Sequence, residues 1–137
     1  MPRQFPHLLK EDQQLWIRFL EANPTMHKQY DYDVRVGTGR DPGPETDSNV
    51  RLDAVMLSQR RIDAVGLNPD AITIVEISLN AGFTQIGELI AYPVLYRQTF
   101  KPTLPLRRLL VAETLQTDIE PVLFEFGIPF LLFPKED

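Results

Sequence analysis

Two carboxylates stand in apolar stretches on either side of a short polar turn. Asp63 lies in RRIDAVGL and Glu76 in ITIVEISL, with Asn68-Pro69-Asp70 between them. Ile62 and Val65 flank the first acid with strand-forming side chains, which places it in a strand rather than a turn. The second acid interrupts a β-branched run of the kind buried on both faces of a sheet. An ionised carboxylate in that setting is costly unless it is paired or holds a cation. A hairpin would bring the two acids side by side, and an all-oxygen pair suits a hard divalent ion. The structural alternative is that Asp63 and Glu76 pair with Arg60 and Arg61 and hold no ion.

The elements that must position these acids are legible from periodicity. Apolar residues at three- and four-residue spacing (Leu8, Leu9, Leu15, Trp16, Phe19, Leu20) predict a helix over residues 8–22, ended by Asn23-Pro24. YDYDVRV alternates over residues 30–36 and predicts a half-exposed strand with Tyr30, Tyr32, Val34 and Val36 on one face. Residues 37–49 form a Gly/Pro-rich loop. Residues 50–58 suit either a strand or a short helix, and an extended course into a strand at 61–66 is expected. A buried strand follows at 72–79. Gly82 or Thr84 then opens a helix to about residue 98, with Pro93 expected to kink it. Beyond a proline-punctuated linker come a strand at 108–112, a short helix at 118–126 closed by Gly127, and a last strand at 129–133.

This order, with the acids in the central hairpin, resembles the PD-(D/E)XK restriction-endonuclease-like superfamily over most of residues 8–133. The resemblance implies an α/β, three-layer fold, a central mixed sheet flanked by helices. It implies that Asp63, Glu76 and the backbone carbonyl of Ile77 bind Mg²⁺ or Mn²⁺ for phosphodiester hydrolysis. Glu21 matches the extra acid that some members supply from the first helix. Gln85 matches the glutamine that often follows the motif, with Tyr92 or Tyr96 as its aromatic partner. One position departs: the family's lysine, two residues after the second acid, falls on Ser78. A hydroxyl brings no positive charge to the phosphate. The next helix offers no basic residue before Arg97, more than three turns on. Arg60 or Arg61 could reach in, but a guanidinium stays protonated and shuttles protons poorly.

At 137 residues the chain reads as a single domain, residues 1–137. It has no cysteine, so thiolate metal sites are excluded. No stretch reads as a signal peptide or a membrane span. A net charge of −5 argues against a surface devoted to gripping nucleic acid, although Arg97, Lys101, Arg107 and Arg108 gather late in the chain. His7 and His27 have no partner spacing and look like neither ligand nor base. Together these features lead to the expectation of a catalytically degenerate nuclease-fold protein serving as a structural or assembly subunit. It is similar to small nuclease-fold proteins of phage head and tail gene clusters. The partners then expected are further copies of the chain, other particle proteins and DNA, in a virion or host cytoplasm and away from membranes. The alternative is a Mg²⁺-dependent DNA endonuclease.

Overall fold

The computed structural model describes residue 8 and residues 10–135. Five strands form one sheet in chain order: β1 (Gln29–Val36), β2 (Arg60–Leu67), β3 (Ile72–Ala81), β4 (Leu106–Leu115) and β5 (Phe130–Leu132). The first three run antiparallel to one another in turn, and β4 and β5 add in parallel beside β3. The parallel joins need crossovers, and helices supply them: α3 (Phe83–Phe100) links β3 to β4, and α4 (Ile119–Glu125) links β4 to β5.

The apolar spacing of the first helix is realised in α1 (Lys10–Ala22), which buries Leu15, Trp16 and Phe19 against Ala64, Val75, Ile77, Leu109 and Val111. Leu9, part of that expected helix, and His7 lie outside the described residues. On the opposite face, Ile86, Leu89 and Tyr96 of α3 and Ile119 and Leu123 of α4 pack over Ile62, Ile74 and Leu110. The result is a helix–sheet–helix sandwich, the three-layer α/β architecture expected from the element order. No helix among the described residues is long and apolar enough to cross a membrane.

Two expectations fail. Residues 50–58 are not extended; they belong to the helix α2 (Ser48–Ser58). Asp47 caps it, its carboxylate accepting from the backbone N–H groups of Asn49 and Val50 at 3.0 and 3.5 Å. The cap gives the segment a local helix start that its apolar pattern left open.

The second failure concerns β1. Tyr30 and Tyr32 pack with Trp16 under α1, whereas Val34 and Val36 join the core under α3. The alternation reverses at Asp33, whose φ of 53° is left-handed. The same reversal occurs in β2, where Ile62 faces α3 and Ala64 faces α1. By the register of the flanking pairs, Asp33 and Asp63 stand opposite one another at this turnover.

Near the β2–β3 turn, Gly66 carries the ring of His27. A Cβ at Gly66 would sit 2.6 Å from that ring. The ring has no room to retreat, since its nitrogens bond the Tyr30 hydroxyl at 2.8 Å and Thr73 Oγ1 at 3.0 Å. Gly66→Ala is therefore expected to destabilise the fold by about 1–3 kcal/mol, read as a lower urea midpoint. An unchanged midpoint would mean that the ring is not clamped.

Candidate active site

The site is built where β2 and β3 stop pairing in the ordinary way. Their ladder runs from Leu67↔Ile72 to Ala64↔Val75. Beyond that point side chains replace main-chain partners. The backbone N–H of Asp63 donates to Glu76 Oε2 at 2.9 Å, and the N–H of Ile77 donates to Asp63 Oδ2 at 2.9 Å. Each acid thus caps the other strand, which satisfies two amides that the splayed strands would leave bare. The reciprocal bonds also hold both carboxyls in the gap between the strands.

Glu76 is 2 % exposed, and Asp63 is half-buried. Burial pushes the Asp63 carboxyl up to about 7 against the bond from Ile77, helped by the charges of Glu88, Asp12 and Asp33. Glu76 is raised well above the usual carboxylate range, first by burial, then by a hydrogen bond to the Glu88 side chain and by the Asp63 charge. A hydrogen bond between two carboxyls needs a proton on one of them. The deep burial of Glu76 favours its neutral form. Tyr92 continues the chain by bonding Glu88, and burial together with these acids raises its phenol. The connected groups run Tyr92–Glu88–Glu76, with Asp63 alongside.

Asp63 and Glu76 therefore converge, as their places in the hairpin predicted. The alternative in which they pair with arginines is not realised. Among the described residues the ion pairs are Arg18–Glu113 and Arg51–Asp41, and Arg60 and Arg61 are exposed. Ile77 meets Asp63 through its N–H. Ser78 is half-buried two residues after Glu76, which puts it on the same side of β3. Gln85 caps its own helix: its Oε1 accepts from the Gly82 N–H at 2.8 Å. Tyr96 is buried against Phe100, with ring centroids 4.8 Å apart, so Tyr92 is the tyrosine at the acids.

Glu21 is exposed near the end of α1. The α1 acid whose charge reaches Asp63 is Asp12, in the first turn. Two contributors were not singled out in the sequence, Asp12 and Glu88. The signal for Glu88 was present, because it shares a helical face with Gln85 and Tyr92 at three- and four-residue spacing.

The donor chemistry suits a hard cation. Mg²⁺ is typically held by one or two carboxylates with waters completing its shell, and Asp63 and Glu76 supply that pair. Among the described residues no three acidic or imidazole side chains stand together as a fuller cage. The crowding of like charge gives the pair a need for either protons or a cation.

No protein family and no curated protein matches the chain. Among solved structures it is similar to a repair endonuclease from Pyrococcus abyssi, at 14% identity and a TM-score of 0.50. That match covers 95% of this chain and 50% of the other. The EndoMS–dsDNA2 complex aligns at 18% identity and a TM-score of 0.49, over 98% of this chain and 50% of that one. The chain spans about half the length of each of these structures. The shared feature is the fold: a mixed five-stranded α/β sheet between helices, of the nuclease-like type.

Proposed function

We propose that this chain is a nuclease-fold domain that keeps a divalent-cation site at Asp63 and Glu76 but lacks the machinery for efficient phosphodiester hydrolysis, and that it serves as a binding or assembly subunit. The observation that carries this reading is the acid pair itself: converging, buried and crowded by further carboxylates, with no cationic side chain bearing on it among the described residues. Ser78 stands where the resembled family has its lysine, so position 78 supplies no ammonium to a phosphate held there. A bound Mg²⁺ or Mn²⁺ would supply the positive charge that polarises a phosphoryl oxygen and acidifies water. The chain's own residues do the rest: Asp63 and Glu76 would be the carboxylates that hold the ion, Glu76 giving up its proton as the ion binds, and Glu88 and Tyr92 stand behind Glu76.

An assembly role draws support from α2. None of its residues is buried, and Val50, Leu52, Met56 and Leu57 are exposed. An apolar helix left on a surface in this way suits a protein partner, such as another copy or a particle protein. Exposed apolar side chains also fit poorly with a surface dedicated to DNA phosphates.

A second reading, a Mg²⁺-dependent DNA endonuclease, is favoured by one feature. Asp63 and Glu76 bring two carboxyls to one point, the minimum that a Mg²⁺ ion with its attacking water would need.

Two measurements separate the readings. Millimolar Mn²⁺ or Mg²⁺ is expected to raise the melting temperature of the native chain, and to leave the Asp63→Asn/Glu76→Gln double variant unmoved. No shift in the native chain would remove the cation site. Plasmid incubated with the native chain and Mn²⁺ is expected to stay intact. Cleavage that disappears in both Asp63→Ala and Glu76→Ala would establish the endonuclease instead.

A further inference from the structure

A second polar cleft lies at the other end of β3, at the β2–β3 turn. It has a volume of about 500 Å³, and none of the acids described above lines it. Its lining includes His27, Thr73 and Arg107 as polar groups and Met26, Leu109 and Leu131 as apolar ones. That volume is in the range of small-molecule sites. Thr73 precedes Glu76 by three residues, so the two sites are separated by roughly 10 Å along the strand.

The polar groups are placed by the fold. Thr73 and Arg107 are register partners on the adjacent parallel strands β3 and β4. Their side chains rise on the same face, about 5 Å apart at the backbone. Arg107 is exposed at the cleft and forms no ion pair among the described residues. His27 and Thr73 are 8 % and 7 % exposed. The imidazole is anchored on both sides, Nδ1 to the Tyr30 hydroxyl and Nε2 to Thr73 Oγ1.

That anchoring determines what Thr73 can offer. Burial and the Arg107 charge lower the His27 pKa, which disfavours the charged ring. A neutral imidazole donates from one nitrogen and accepts at the other. Tyr30, its phenol pushed up to about 12, keeps its proton and can donate to Nδ1. Nε2 and Thr73 Oγ1 share one hydrogen bond, and in the tautomer whose Nε2–H donates, the Thr73 hydroxyl proton is left for the cleft. The cleft presents the Thr73 hydroxyl and the Arg107 guanidinium side by side above an apolar floor. Among the described residues neither pairs with a carboxylate.

We propose that this cleft binds a small organic anion. Arg107 and the Thr73 hydroxyl receive its carboxylate or phosphate, and its apolar body rests on Met26, Leu109 and Leu131. Paired donors of this kind recognise planar or tetrahedral oxyanions equally, so the two headgroups are distinguished by measurement. The site stands independently of the acid pair.

The test is titration calorimetry of the full chain with phenyl phosphate, benzoate and inorganic phosphate. At least one of the two organic anions is expected to bind with a Kd below about 1 mM, more tightly than inorganic phosphate. Which of them binds better identifies the headgroup. Arg107→Gln, a change at an exposed position, is expected to weaken binding at least tenfold with the fold intact by circular dichroism. Thr73→Val is expected to weaken it as well, while Asp63→Asn leaves it unchanged.

Failure of both organic anions to bind at several millimolar would overturn the proposal. So would an Arg107→Gln variant that binds as the native chain does, or inorganic phosphate binding as tightly as phenyl phosphate. A duplex oligonucleotide that needs Arg107, with neither small anion binding, would reassign the cleft to nucleic acid.

Discussion

Asp63→Asn is expected to make this protein more stable at pH 8, by about 2–4 kcal/mol. The Asp63 carboxyl rises from an ordinary value of 3.8 to about 7 on folding, and each unit is worth 1.36 kcal/mol. The sign follows from proton linkage. Between about pH 4 and 7 the folded chain binds this proton more tightly than the unfolded chain does. Stability therefore falls as pH rises through that window, and levels off above it. At pH 8 the folded state carries the whole burden of a buried anion; near pH 4 it carries none. Asparagine keeps an oxygen to accept from the Ile77 N–H and has no charge to bury. The variant's melting temperature should exceed the native value on the order of 10 °C at pH 8. The difference should close as the pH approaches 4. Glu76→Gln should behave in the same direction, since Glu76 is raised by the same causes in a more buried position. A variant less stable than the native chain at pH 8 would mean that the carboxylate is satisfied as an anion, and the argument for a cation would lose its basis.

The second large effect concerns the position beside Glu76. Ser78→Lys is expected to create Mn²⁺-dependent plasmid cleavage of about 10²-fold or more over the native chain. A positioned cation at a transferring phosphoryl group contributes on that scale. The side chain would rise from β3 on the same side as Glu76, and Ser78 is only half-buried, so an ammonium has room to reach solvent. The same ammonium should also relieve the crowding of carboxylates and raise the melting temperature without any added metal. The two readouts are separable. Stabilisation without cleavage would place the ammonium at the acids but deny a phosphate access to them. Absence of both would mean that position 78 does not face the acid pair.

Much of this architecture was legible before any coordinates. The hairpin acids, the buried β3 and the amphipathic α1 follow from local patterns: apolar periodicity, β-branched runs and turn residues act over a few neighbours, and tertiary packing here agrees with them. That a serine stands two residues after Glu76 is read from the sequence alone. So is the long interval to the next basic residue, Arg97.

Other features became visible only in three dimensions, each because it depends on contacts between residues far apart in the chain. The turnover of β1 at Asp33 breaks a perfect alternation, since Tyr30 and Tyr32 gain more by packing with Trp16 than by staying on the face of Val34. Residues 50–58 are helical, with Asp47 capping the helix start. Gln85 turned inward to its own helix end, and Glu88 took the place beside the acids. His27 looked partnerless because its partners, Tyr30 and Thr73, meet it only through the sheet, over a glycine that leaves room for its ring. The sequence by itself determined which acids occupy the central hairpin and that no lysine accompanies them. Only the tertiary structure decided which further side chains reach those acids, because burial and charge crowding arise from distance in space.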